Sequence, residues 1–166
     1  MTGSARTLIV WAETRPDGSP FHEELLVEPG PDGAVVRRRS PAFAQGLAAG
    51  DSFMIDDQKR PVLLSRGGNV AIQVFDPAGV QWVRRFIESA MNDIGGTVDG
   101  EAKQVIVLSA PVEVGFDTIE AILQRLAAKS PSLKWYFGNV YDPSDGVTQL
   151  NWWSDIPRRP PRTRKS

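Results

Sequence analysis

Apolar and polar positions along the chain change their period near residue 69. Ahead of that point the pattern is short and two-fold. Stretches 7–13 (TLIVWAE), 23–28 (EELLVE), 34–40 (AVVRRRS), 52–55 and 61–65 read as strands, separated by turn sequences such as Pro-Asp-Gly-Ser at 16–19 and Pro-Gly-Pro-Asp-Gly at 29–33. Residues 41–49 (PAFAQGLAA) are too rich in small side chains for a strand and too few for a full helix, and read as one helical or 3-10 turn. Short strands at this spacing predict a small barrel or a curled sheet.

From 69 the pattern lengthens. Val70, Ile72 and Val74 alternate with Ala71, Gln73 and Phe75, as in a central strand. Asp76-Pro77 then offers a cap and a first helical position, predicting a helix over 78–94. Val83, Phe86, Ile87, Ala90, Met91 and Ile94 share one face of it, and Gly95-Gly96 stops it. Residues 97–99 and 104–112 read as a strand pair. A second helix over 116–129 buries Phe116, Ile119, Leu123 and Leu126, has Asp117 in its first turn and ends at Ser130-Pro131. A last strand covers 133–141. This order predicts an α+β protein with a β-rich, barrel-like N-terminal half (1–66) and a ferredoxin-like βαββαβ half (67–153), whose two helices cover one face of an antiparallel sheet. Arg66-Gly67-Gly68 is the expected joint. Residues 154–166 read as a disordered Pro/Arg tail.

Charge sharpens this picture. The 166 residues carry 19 basic and 20 acidic side chains, but five of the basic ones lie in the last ten residues. The body is therefore net acidic, which argues against nucleic acid running across it and leaves only the tail for that role. Nor does the sheet suit RNA: an RNA-recognition motif needs aromatics on its third strand, and QVIVLSAPV has none. The absence of cysteine excludes disulfides, thiolate nucleophiles and Cys-based metal sites. No apolar run reaches membrane-spanning length, and the polar N-terminus lacks the core of a signal peptide; a cytoplasmic location is expected.

Candidate chemistry is sparse. His22 is the single histidine and has no triad or ligand spacing around it, so it reads as a solvated loop residue. Glu23 and Glu24 point to opposite faces of a strand and make a poor acid–base pair by themselves. Glu23, Glu24 or Asp51 could act as base with Arg66 as anion clamp, which is the route to a small carboxylate-dependent hydrolase or isomerase. Arg37-Arg38-Arg39 reads as edge-strand charge or an anion site. Arg66-Gly67-Gly68-Asn69 could form an anion-binding nest but lacks nucleotide-loop spacing. Asp142-Pro-Ser-Asp145-Gly146 reads as a turn, since it fails the spacing of a calcium loop. Of the adjacent Trp152 and Trp153, one is expected to pack on the core and the other to rim a pocket or interface.

Four strings resemble a known family when taken together: PAFAQGLAAGD at 41–51, RGGN at 66–69, GNVYDP at 138–143 and LNWW at 150–153. They are similar to an uncharacterised bacterial family, domain of unknown function 4265, over residues 8–153. The resemblance implies a two-part bacterial domain and brings no activity, cofactor or catalytic residues with it.

The residues support a non-catalytic binding protein with no cofactor and no metal. Its partner would be another protein, including a toxin if the chain is of immunity type, or a small ligand; an exposed sheet edge or face could also support a homodimer. The expected contact surface is the seam between the halves, near Arg66, Asn69, Tyr136, Asn139, Asn151 and Trp153, with Glu24 and Asp51 as further contact candidates.

Overall fold

The computed structural model describes residues 5–30, 33–37 and 39–159. The N-terminal half is a five-stranded antiparallel meander of β1 (Arg6–Thr14), β2 (Pro20–Pro29), β3 (Val35–Arg37), β4 (Ser52–Ile55) and β5 (Pro61–Ser65), adjacent in sequence order. It is a curled open sheet and not a closed barrel. No ladder joins β1 to β5; the amide of Trp11 instead donates to the Lys59 carbonyl in the β4–β5 turn, 2.8 Å away. Strand β3 lies in the middle of the sheet, so Arg37 is not on an edge strand. Arg37 instead donates to the Leu26 carbonyl of the neighbouring strand (2.8 Å), and Arg38 lies outside the described residues. His22 sits within β2, exposed, opposite Trp11.

Alternate residues of this sheet, including Val10, Leu25, Val27, Val35 and Phe53, line its concave face. The plug for that face comes from the segment expected to be a helical turn. Residues 41–50 contain only bends and turns, and from them Ala44 and Leu47 enter the core. Pro41, and Gly46 with its φ of 86°, keep the segment from helical geometry. Its amides need other acceptors. Glu23, on the inner face of β2, accepts from the amides of Ala42, Phe43 and Ala44 at 2.8–2.9 Å.

The second half comprises β6 (Asn69–Phe75), α1 (Gln81–Asp93), β7 (Thr97–Glu101), β8 (Val105–Pro111), a 3-10 turn at Val112–Val114, α2 (Phe116–Ala127) and β9 (Lys134–Phe137). Its four strands are antiparallel in the order β7-β8-β6-β9. One face, with Val70, Ile72, Val74, Ile106 and Leu108, shares a core with Val83, Ile87 and Met91 of α1 and Ile119, Leu123 and Leu126 of α2. The other face is covered by the 40–50 segment. The Ser40 and Ser109 hydroxyls meet at 2.6 Å, the Ser40 amide donates to Asp99 (2.6 Å), and Gln45 Nε2 donates to Gln73 (3.3 Å). One irregular segment thus fills the space between two sheets.

The first helix starts later than 78. Asp76 and Pro77 do not begin it, because Gly79 has a φ of 106° and closes a turn onto the Asp76 carbonyl (2.9 Å). Asp76 serves another purpose. Fully buried, its carboxylate accepts from the hydroxyls of Ser130 (2.7 Å) and Ser132 (2.6 Å) and from the Ala78 amide, tying the β6–α1 turn to the turn before β9. The Ser132 and Ser130 hydroxyls, then the Ala78 amide, hold its carboxyl below the ordinary value of 3.8. A carboxyl whose pKa is lower folded than unfolded stabilises fully above the unfolded value and loses that contribution as pH falls through the folded one. An Asp76→Asn variant is therefore expected to be less stable than the native chain at neutral pH, with the gap closing below pH 3.8. Urea midpoints measured down the acid range check this; a gap that stays constant with pH refutes it.

Residues 154–159 continue along the helical layer. Arg158 pairs with Asp117 at 2.9 Å, while Arg159 pairs with Glu113 and donates to the Ile94 carbonyl (3.3 Å). Two of the five basic side chains at the C-terminus are thus engaged, and the chain is held six residues further than the expected start of the tail. Residues 160–166, where the rest of that expectation falls, lie outside the described residues. Among the described residues, no helix is long and apolar enough to cross a membrane.

Candidate functional site

The seam between the halves is built around two crossing backbones. Gly67 and Gly50 approach so closely that a Cβ on Gly67 would lie 2.5 Å from the Gly50 carbonyl carbon. Asp51, with no exposed surface, locks the crossing: it accepts from the amides of Ala48 (2.9 Å) and Gly67 (2.8 Å) and from Arg66 Nη1 (3.2 Å). Burial pushes the Asp51 carboxyl up, against the pull of those amides and the guanidinium, and burial likewise lowers Arg66. The backbone nest at 66–69 is therefore filled internally by Asp51.

Arg66 also donates to the Gly46 carbonyl (2.6 Å) and lies over the Trp152 ring at 5.3 Å. Asn69 Nδ2 donates to the Ala49 carbonyl (2.9 Å). Asn139, fully buried, accepts from the Ala71 amide (2.9 Å) and donates to the Asn69 carbonyl (2.8 Å), and its own carbonyl takes the Trp152 indole N–H at 2.8 Å. The structure thus brings Asp51, Arg66, Asn69 and Asn139 together as a closed joint. Most of their polar atoms bond to the protein itself, while the buried Arg66 Nε has no hydrogen-bond partner among the described residues.

The other expected contacts are scattered. Trp153 packs edge-on against Phe116 (5.0 Å) and Trp152 (5.5 Å), so both tryptophans lie against the helical core. Asn151 is exposed in a turn at φ 56°. Glu24 is exposed on the outer face of the first sheet, opposite Ile9. Glu23 and Asp51, the other candidate bases, spend their oxygens on backbone amides.

Of the expected residues, Tyr136 lines an open cleft. It belongs to β9, the free edge of the four-stranded sheet, where side chains alternate. Trp135 and Phe137 turn toward α2, with Phe137 5.4 Å from Phe116, and Tyr136 turns the other way against Phe75 at 5.9 Å. The chain then reverses at Gly138, whose carbonyl takes the Gly46 amide (2.7 Å), and folds the loop after Tyr141 back beside the strand. Between them lies a cleft of about 480 Å³. Trp135, Tyr136, Phe137 and Tyr141 supply aromatic surface, and Pro143 and Gly146 form the loop wall. Its polar groups are Gln45, Glu120 and Asp142, with no basic side chain in the lining. Asp142 is tied into its own turn by Ser144, whereas Glu120, half-buried on α2, has no hydrogen-bond or ion-pair partner among the described residues. Such a lining favours cations and flat apolar groups.

Tyr136 was expected at the seam between the halves, and Gln45, Glu120, Tyr141 and Pro143 come from three other places in the chain. The one signal available for the loop, its Pro/Asp/Gly composition, reports a turn and not a wall. Among the described residues no group of three or more His, Cys, Asp or Glu side chains is placed to hold a metal ion.

Comparison with known proteins places this architecture. A family model described as a domain of unknown function (DUF4265) matches residues 23–132. The fold is similar to the crystal structure of a hypothetical protein from Neisseria gonorrhoeae, with a TM-score of 0.61 and 18% identity over 83% of this chain and 94% of that one. No curated protein matches the chain.

Proposed function

The chain belongs to the DUF4265 family, whose description carries no activity, and from the site alone we propose a non-catalytic binding protein that takes a segment of a partner protein in the cleft beside β9. The observation that carries this is the lining itself: four aromatic side chains and the unpaired Glu120 along the free edge of a strand. Aromatic walls supply contact area at low entropic cost, and a carboxylate without a cation selects a basic group. An extended peptide also satisfies the free strand edge through its own backbone. The segment that fits is extended and basic, with proline or flat side chains facing Tyr136 and Tyr141.

The second half is read as ferredoxin-like on the strength of its strand order and the common side of its helices. That fold often uses the helix-free sheet face for recognition. Here the 40–50 segment covers that face, which moves the available surface to the β9 edge.

Selection from a random peptide display library tests the reading. Enrichment of basic sequences is expected, with binding weakened at least tenfold by Tyr136→Ala, equivalent to about 1.4 kcal/mol. Loss is expected to be greater for Glu120→Lys, which places a like charge against the ligand. Enriched peptides that bind both variants as well as the native chain, or no enrichment, refute it.

A further inference from the structure

We propose that the free edge of β5 pairs with β5 of a second copy of this chain, joining two five-stranded sheets into one across a two-fold axis. The edges of the two sheets are β1, β5, β7 and β9. Natural proteins blunt such edges with charge, proline or a covering element, because unpaired N–H and C=O groups recruit other strands. Three of the four edges follow that practice: Arg6 lies on β1, Asp99 and Glu101 on β7, and Lys134 on β9. The sequence of β5, PVLLS, has no charge, and Pro61 removes a donor only at its first position.

The side chains on this edge are apolar and uncovered on both faces. Val62 (48%) and Leu64 (53%) are exposed, and so is Met54 (45%), which pairs with Val62 on the outer face. Leu63 faces inward opposite the fully buried Phe53, yet remains 36% exposed because nothing lies beyond it. A partner strand must therefore bring apolar side chains to both faces and no charge to face them. Among the sheet edges of the described residues, only β5 meets that requirement, and its antiparallel pairing with itself is self-complementary: about an axis at Leu63, Val62 of one copy meets Leu64 of the other. The contact is that of two short strands, below the ~800 Å² per partner of a standard interface, so association is expected in the micromolar range.

Sedimentation velocity over a concentration series through that range is expected to show a monomer–dimer equilibrium. Leu64→Lys, which sets a charge against the apolar Val62 of the other copy, is expected to return the protein to monomer, while Leu26→Lys, on the same outer face but on β2, leaves the dimer unchanged. The absence of cysteine allows a second measurement. Leu63→Cys is expected to give a disulfide-linked dimer under mild oxidation, much faster than Ile9→Cys, which is 49% exposed on β1. A protein that stays monomeric at every concentration, a dimer that survives Leu64→Lys, or equal cross-linking at the two cysteines overturns the proposal.

Discussion

Replacing Asp51 with alanine is expected to destabilise the protein by on the order of 3–5 kcal/mol, the range for removing one partner of a buried ion pair. The loss is large because the amides of Ala48 and Gly67 are stranded together and the half-buried Arg66 guanidinium, left with the Gly46 carbonyl, loses its counter-charge. Stabilities of natural domains run to only about 5–15 kcal/mol, so the variant sits near the edge of folding. Asp51→Asn preserves the shape and one acceptor but turns an NH₂ toward other donors, and should fall between. The pair itself contributes less than its breakage costs, since burial works against both charges. Asp51→Ala combined with Arg66→Met should therefore lose less than the sum of the single changes. Urea unfolding of the four proteins measures this cycle. A single alanine variant within about 1 kcal/mol of the native chain would mean that Asp51 is not the lock of the seam.

The second large effect is expected at Gly67. An alanine Cβ there would lie 2.5–2.7 Å from three backbone atoms of Gly50. Backbone cannot rotate aside as a flexible side chain can, so the cost belongs at the upper end of overpacking penalties, ~3 kcal/mol or more. The two chain segments must separate, which also stretches the Gly67–Asp51 hydrogen bond; the change should therefore add poorly to Asp51→Ala. Gly18→Ala is the contrast. Its added methyl meets nothing within 4 Å, and only its φ of 86° is unfavourable, a cost of about 1–2 kcal/mol. Thermal unfolding, with near-ultraviolet dichroism reporting the Trp152 environment over Arg66, separates the two. Equal losses at Gly18 and Gly67 would exclude a steric origin.

These two residues also show how far the chain could be read before its structure. The strings GD at 50–51 and RGGN at 66–69 stood out, and a joint was expected at the second. Their use differed from expectation, because the Gly67 amide of the nest read as an anion site is taken by a carboxylate from 16 residues earlier in the chain. Asp76 is a similar case. Its local sequence fits a helix cap, but Ser130 and Ser132 are closer competitors once the fold forms. Glu23 looked like half of a weak acid–base pair and became the acceptor for three amides of a segment that could not supply its own. In each case local rules identified a polar group with unmet capacity, and a distant segment met it.

The sequence by itself determined the α+β class, the order of the elements and which side of each helix is buried, since side-chain period follows from backbone geometry within one element. Tertiary structure alone decided that the first sheet stays open, that the helix-free face of the second is covered by 40–50, and that Tyr136 meets Tyr141 and Glu120 across a cleft. Those outcomes depend on which edges pair and on contacts between segments dozens of residues apart, and a local period carries no information about either.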